Sequence, residues 1–185
     1  RELRAAADVA LQMAEVGPLK DIGYHDAARA LSALGDGEAA IESQRLAARN
    51  APADRRAFQL WSLASLQHWA GDGEAAESTL QRAERWAAKE RPLMRAHRAW
   101  VRLDRGAAVR GLDEVVDALR KAKCREGYGQ FVLGMIAHAS GDADRARVHL
   151  RAFLNRNASA DPAKALTLRE ELRQARLALA ELESE

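Results

Sequence analysis

The chain has 185 residues, of which 48% are hydrophobic, and its 29 basic and 27 acidic residues leave a net charge of +2. Charges of both signs are interspersed, which is typical of a solvated helical surface and argues against a nucleic-acid-binding protein. The single cysteine excludes an internal disulfide, and no segment approaches the roughly 20 unbroken apolar residues that a membrane span needs.

The first predicted element is an amphipathic helix that ends at Gly17-Pro18. Leu3, Ala7, Ala10 and Ala14 form an apolar stripe at helical spacing, and glycine and proline are common just beyond a helix end. We interpret residues 1–18 as the second helix of a truncated preceding repeat, and the chain as a piece excised from a longer protein.

Four predicted helical hairpins follow, and each bends at a glycine of a periodic series. The bends fall at Gly35, Gly71, Gly106 and Gly141, so their spacings are 36, 35 and 35 residues. A period in this range indicates a solenoid of stacked repeats. The hexapeptide Gly-Asp-Gly-Glu-Ala-Ala begins at both Gly35 and Gly71. The predicted hairpins comprise residues 21–52, 54–91, 92–123 and 127–157.

A final helix is predicted over residues 161–184. Asp161-Pro162 suits an N-cap followed by a proline in the first helical turn. Leu172, Ala175 and Leu179 lie on one side of this helix at helical spacing, with charged residues on the other. A helix with one polar face is what a terminal cap requires, because the open end of a solenoid exposes its core.

The hairpins resemble the tetratricopeptide repeat (TPR), a helix-turn-helix unit of about 34 residues. In the second hairpin the matching residues are Leu60, Leu63, Ala64, Ala76, Leu80 and Ala83. Small residues also recur where paired helices meet, at Ala28, Ala64, Ala99 and Gly134. The resemblance implies an all-α protein, a right-handed α-solenoid of antiparallel helix pairs, folded as a single domain over residues 1–185.

In this family the first helices of the repeats line a concave groove in which partner proteins usually bind. Periodicity predicts which residues of those helices face this groove, and five of the nine aromatic residues of the chain are among them. The predicted groove residues are Phe58, Trp61, Ser65, His68, Leu93, Trp100, Tyr128, Phe131, Met135 and His138. Clustered aromatic residues favour an interaction surface, since aromatic anchors dominate binding energy. The alternative is that these aromatic residues belong to the core.

The third hairpin departs from the family pattern, because arginines occupy positions where the family has packing residues. Five arginines recur at spacings of 4, 3, 4 and 3 residues and therefore share one helical face, namely Arg91, Arg95, Arg98, Arg102 and Arg105. If this helix is rotated, the basic stripe rather than Trp100 faces the groove and the partner is acidic. The alternative is a solvated face that is paired with nearby acids.

No catalytic, cofactor or metal site is predicted. Cys124 lacks a catalytic constellation, and the five histidines show no spacing typical of a zinc site. No glycine-rich phosphate loop or nucleophile elbow is present. We therefore expect no enzyme activity from this chain.

These patterns predict a non-catalytic scaffold or adaptor of the cytoplasm, which binds a peptide or helix of another protein through apolar anchors in its concave groove. Nucleic acid is not an expected partner, and no membrane span is expected. One alternative is a structural segment that stacks on further repeats or forms a homo-oligomer. Another is a regulatory module attached to a catalytic or signalling domain outside this chain.

Overall fold

The structure is a computed structural model that describes residues 1–184, apart from the side chain of residue 163. The described residues are all-helical and contain no strand, as the sequence predicts. Eleven α-helices lie in this range: α1 Glu2–Val16, α2 Lys20–Ala33, α3 Gly37–Asn50, α4 Ala53–Trp69, α5 Gly73–Trp86, α6 Arg91–Asp104, α7 Leu112–Lys121, α8 Tyr128–Ala139, α9 Ala143–Asn157, α10 Pro162–Thr167 and α11 Arg169–Ser184. A short 3-10 helix, Lys123–Arg125, lies between α7 and α8.

The helices form two compact units that divide after Ala87. In the first unit α1 to α5 pack consecutively, each against the next. In the second unit α6 packs on α7 and α8, α8 packs on α9, and α11 packs on both α8 and α9. The single domain over residues 1–185 stays a prediction. In the part of the chain that the structure describes, every helix is too short or too polar to cross a membrane.

Four of the bends share one hydrogen-bonded turn, which explains the periodic glycines. Gly35, Gly71, Gly106 and Gly141 all have φ between 70° and 83°, a region that residues with a side chain rarely adopt. At the first bend the Gly35 amide donates to the Ser32 carbonyl and the Asp36 amide donates to the Leu31 carbonyl, both at 3.0 Å. These two bonds define a Schellman motif, which satisfies carbonyls that the helix end leaves unpaired. The other three bends repeat both bonds.

An aspartate beside the glycine starts the second helix of three hairpins. The carboxylates of Asp36, Asp72 and Asp142 accept hydrogen bonds from backbone amides three residues on, at 3.3, 3.0 and 3.1 Å. These N-caps satisfy amides of the first helical turn. The third hairpin has Ala107 in place of this aspartate, and its second helix begins only at Leu112. The longer connection there follows from the missing cap.

Alanine and glycine form much of the core of the first unit. Ala14, Ala27, Ala40 and Ala64 are fully buried, and their small side chains allow the helices to approach closely. At Gly23 a Cβ atom would lie 2.8 Å from the Cβ of Ala14, so α1 and α2 meet at a distance that excludes any side chain there. Close packing of this kind explains why the first unit contains so few large apolar residues in its interior.

The core of the second unit uses larger side chains. Trp100, Phe131 and Phe153 are fully buried, together with Leu119 and aliphatic residues of α8. Helices α8 and α9 approach closely at Gly134, where a Cβ atom would lie 2.6 Å from the Leu150 side chain. Gly134, which the sequence predicts as a small residue at this helix contact, is therefore needed because a side chain there would clash with Leu150.

The end of the chain differs in one respect from the single helix predicted over residues 161–184. The helix is interrupted at Leu168, whose φ of −102° and ψ of 16° end α10 before α11 begins. Asp161 caps α10 as predicted, since its carboxylate accepts from the Lys164 amide at 2.9 Å. Leu172, Ala175 and Leu179 are buried, so α11 has the predicted apolar side.

Candidate functional site

Helix α4 presents an aromatic face on the surface of the first unit. We name the four predicted residues Phe58, Trp61, Ser65 and His68 the α4 aromatic face. Their spacings of 3, 4 and 3 residues place them on one side of the helix. Phe58 is 45% exposed, and the other three are half-buried. Large apolar side chains on an open helical face are typical of an interaction surface.

The face stays open because other residues of α4 provide its packing. Leu60, Leu63 and Ala64 are buried and fix the rotation of the helix. Sequence periodicity leaves open whether Phe58 and Trp61 or Leu60 and Leu63 face inward. The structure buries the two leucines, so in the first unit the predicted aromatic residues stay accessible.

Side chains of neighbouring residues hold the α4 aromatic face in position. The Phe58 ring meets the His25 ring of α2 edge-on, with centroids 5.2 Å apart, and lies 6.2 Å from the Trp61 ring. Edge-on arrangements suit the charge distribution of aromatic rings. The Ser65 hydroxyl donates to the Trp61 carbonyl at 3.1 Å, and His68 stacks on Trp69 at 5.2 Å. Trp69 is not among the predicted residues.

A buried polar network lies beneath this face and joins α2, α3 and α4. Arg55 donates to both carboxylate oxygens of Asp21, at 2.8 and 2.9 Å. Gln59 donates to Asp21, and the Gln44 amide donates to the Gln59 side chain at 2.8 Å. The chain of contacts ends where Gln44 Oε1 lies 2.9 Å from His25 Nδ1. His25 in turn supports the Phe58 ring, so the network positions the aromatic face.

The network also sets the charges of its members. The Arg55 guanidinium holds the pKa of the Asp21 carboxyl below its usual value, so this buried acid is ionised at neutral pH. Burial lowers the pKa of His25, which keeps the imidazole neutral beside Phe58. No motif in the sequence predicts this network. The only signal is that Gln44 and Gln59 interrupt otherwise apolar helix faces.

In the second unit most of the predicted groove residues lie inside the core. Leu93, Trp100, Phe131 and Met135 are buried, with Trp100 only 1% exposed, and Tyr128 is half-buried. Trp100 and Phe131 meet edge-on at 5.3 Å, and Phe131 also contacts Tyr128 at 5.4 Å. For these residues the structure therefore favours the alternative that the aromatic residues are core, and no open aromatic face extends over α6 and α8.

The last helix of the chain contacts the remaining predicted residues of α8. The Tyr128 hydroxyl donates to Glu171 Oε1 at 3.1 Å, and His138 Nε2 lies 3.1 Å from Glu181 Oε2. Glu171 is 7% exposed, and its burial raises the pKa of the carboxyl to about 7. Helix α11 thus covers the side of α8 on which Tyr128 and His138 lie.

The predicted basic stripe lies on the solvent side of α6. Arg91, Arg95 and Arg105 are exposed, and Arg98 and Arg102 are half-buried. Trp100 lies on the same helix and is buried. On α6 the accessible side is therefore formed by the arginines and not by Trp100. This is the orientation expected if the helix is rotated relative to the family pattern. Whether these arginines bind a partner stays a prediction.

Other reactive groups form no recognisable centre. Cys124 lies half-buried in the 3-10 helix, and burial raises the pKa of its thiol despite the neighbouring basic residues. Its Sγ lies 3.7 Å from the Lys89 carbonyl, to which it donates. Within residues 1–184 no three histidine, cysteine or acidic side chains converge as metal ligands would.

Comparisons were made with protein-family models, with curated proteins and with solved structures, and none of them gave a match. The function must therefore be inferred from the geometry of the two units.

Proposed function

We propose that this chain is a TPR-like, right-handed α-solenoid that acts without catalysis as an interaction scaffold or adaptor. In this proposal a peptide or helix of a partner protein binds to the α4 aromatic face through apolar anchors. The repeated Schellman turns, the consecutive packing of the helices and the buried small residues support the proposed architecture. A cytoplasmic location belongs to the same proposal and rests on the sequence alone.

The exposure of Phe58 carries the proposal. Nearly half of this large apolar side chain is in contact with water, although its helix has apolar residues enough to form the core. The ring is also fixed by His25 and Trp61, so little conformational entropy would be lost when a partner covers it. A rigid, exposed aromatic residue is typical of a binding hot spot.

Substitution of Phe58 is the direct test of the α4 aromatic face. Peptides selected from a random display library on the purified chain are expected to bind Phe58→Ala with a free energy about 2 kcal/mol less favourable. This loss corresponds to a Kd roughly 30-fold higher. Binding is measured by fluorescence titration of labelled peptides, with circular dichroism to confirm that the variant is folded.

Trp86→Ala is the matched control for this experiment. Trp86 is 46% exposed and lies on α5 beneath the Arg56 guanidinium, and it makes no ring contact with Phe58 or Trp61 among the described residues. Its substitution removes an exposed aromatic residue of the same unit and is expected to leave peptide affinity unchanged. We call the chain without substitutions the parent chain. Equal affinity of the selected peptides for the parent chain and for folded Phe58→Ala would contradict the proposal.

A second candidate function, self-association, is favoured by an apolar stripe on α1. Val9, Met13 and Val16 are 55%, 62% and 88% exposed, and their spacing of 4 and 3 residues places them on one side of the helix. An exposed stripe with this spacing suits helix-to-helix packing. A second copy of the chain, or a further repeat, would cover it in this candidate function.

Light scattering over a range of concentrations tests the second candidate. We expect the apparent mass of the parent chain to rise with concentration and that of Met13→Glu to stay monomeric, because a carboxylate in an apolar contact is costly. Gln12→Glu adds the same charge at the adjacent exposed position and should behave like the parent chain. A parent chain that is monomeric at all concentrations would rule out self-association.

A further inference from the structure

We propose that a cleft between α6 and α7 binds an acidic segment of a protein, seating a carboxylate among three arginines. The cleft has a volume of about 300 Å³ and lies wholly within the second unit. Its lining includes Arg91, Arg95 and Arg110, together with the apolar residues Pro92 and Val115. This site is separate from the α4 aromatic face and does not depend on the function proposed for it.

The unusual third bend creates this cleft. Without an aspartate cap after Gly106, the chain continues for several residues before α7 begins, and the Arg102 guanidinium donates to the Ala108 carbonyl of this connection at 3.3 Å. Gly111, with φ of 65°, directly precedes α7. As a result Arg110 and Gly111 line the same cleft as Arg91 and Arg95, which come from the first two turns of α6.

The charge in the cleft favours an anion. Arg91 and Arg95 are four residues apart and share one side of α6, and Arg110 adds a third guanidinium. In the part of the chain that the structure describes, the side chains of Arg95 and Arg110 make neither an ion pair nor a hydrogen bond. Guanidinium groups bind carboxylates with two parallel hydrogen bonds, so these donors are suited to an acidic side chain.

One carboxylate lines the cleft but does not neutralise it. A Cβ atom on Gly111 would lie 2.3 Å from Glu114 Oε2, so this carboxylate folds back onto the first turn of α7. A helix N-terminus favours a negative charge there, independently of the arginines. The lining therefore carries three arginines and one glutamate, and the charges of Arg95 and Arg110 give the cleft an excess of positive charge.

The size and lining of the cleft favour a peptide. Ligand pockets range from about 300 to 1,000 Å³, so this cleft is at the small end of the range and suits one or two side chains of a peptide. Pro92, Val115 and Ala118 supply an apolar wall beside the arginines. We therefore expect an acidic residue followed by an apolar one to occupy it.

The test uses a fluorescein-labelled peptide that contains Leu-Glu-Glu-Leu and a matched peptide that contains Leu-Gln-Gln-Leu. Fluorescence anisotropy is expected to show saturable binding of the acidic peptide, at least roughly tenfold tighter than that of the amide peptide. Binding should weaken as salt concentration rises, because the contact is electrostatic. The double variant Arg95→Gln/Arg110→Gln is expected to lose at least about tenfold in affinity for the acidic peptide.

Arg82→Gln/Arg4→Gln is the control, since it removes the same charge from two exposed positions of the first unit and should bind like the parent chain. Circular dichroism checks the fold of each variant, and exposed arginines should tolerate glutamine. Equal binding of the acidic peptide to the parent chain and to the folded cleft variant would overturn the proposal. So would binding of inorganic phosphate to the cleft without binding of the acidic peptide.

Discussion

Replacing Arg55 with alanine is expected to lower the free energy of unfolding, because it leaves the Asp21 carboxylate without its counter-ion. Asp21 is 2% exposed and accepts two hydrogen bonds from this guanidinium. Gln59 remains as a donor, but at 3.5 Å it is a weak one. Urea unfolding, followed by circular dichroism at pH 7, measures the change.

The double variant Asp21→Asn/Arg55→Ala separates a buried charge from a general loss of packing. If the charge causes the destabilisation, removing it should make the double variant more stable than Arg55→Ala alone. Equal stability of the two variants would show that Arg55 acts through packing instead. An effect of Arg55→Ala below about 0.5 kcal/mol, the size typical of exposed ion pairs, would contradict the role assigned to the network.

The contribution of the Asp21–Arg55 ion pair to the free energy of unfolding is expected to decrease in acid. Arg55 lowers the pKa of Asp21 in the folded state, so the pair stabilises the fold fully above the pKa of an unfolded aspartate, about 4. This stabilisation is lost as pH falls through the lowered pKa. The difference in stability between the parent chain and Arg55→Ala should therefore be largest at neutral pH and shrink in acid.

Helix α11 is expected to dock less stably as pH rises from about 5 to 8, because Glu171 must ionise in a buried position. An unfolded glutamate titrates near 4.3, whereas burial raises the pKa of Glu171 to about 7. Below both pKa values the Glu171 carboxyl is protonated in the folded and in the unfolded state, so its burial does not reduce the free energy of unfolding. Between these two pKa values the unfolded state releases the proton first, so the free energy of unfolding falls by roughly 4 kcal/mol in total and levels off above pH 7.

Glu171→Gln is expected to abolish most of this dependence and to stabilise the second unit at pH 8. Glutamine keeps an oxygen that accepts the Tyr128 hydroxyl but carries no charge. The control is Glu170→Gln, because Arg173 lowers the pKa of the Glu170 carboxyl and its titration falls below this pH range. Thermal unfolding from pH 5 to 8 compares the three proteins. A parent chain whose stability does not fall over this range would contradict a buried, protonated Glu171.

Local signals in the sequence predict the helices and their turns well. A glycine with positive φ and an aspartate cap act within six residues, so their effect can be read without knowledge of the fold. For the same reason the sequence locates the atypical third bend, where Ala107 replaces the aspartate. The all-helical fold and the antiparallel packing of consecutive helices follow from these local features.

Periodicity predicts where the helices lie better than it predicts which face of each helix is covered by other elements. It groups Phe58 with Trp61, and Trp100 with Leu93, but it contains no information about the elements that pack on either group. In the first unit Leu60 and Leu63 turn inward and leave Phe58 exposed. In the second unit Trp100 turns inward, and α11 covers Tyr128 from a position more than 40 residues further along the chain. Only tertiary contacts decide between these outcomes.

The identical hexapeptides at Gly35 and Gly71 form turns that are closed by local hydrogen bonds. Every bond of the turn at Gly71, including the Asp72 cap, joins atoms within nine residues, from Gln67 to Ala75. Removing the 36 residues from Gly35 to Ala70 would delete one whole helix pair, α3 and α4, and would leave the same hexapeptide turn between α2 and α5.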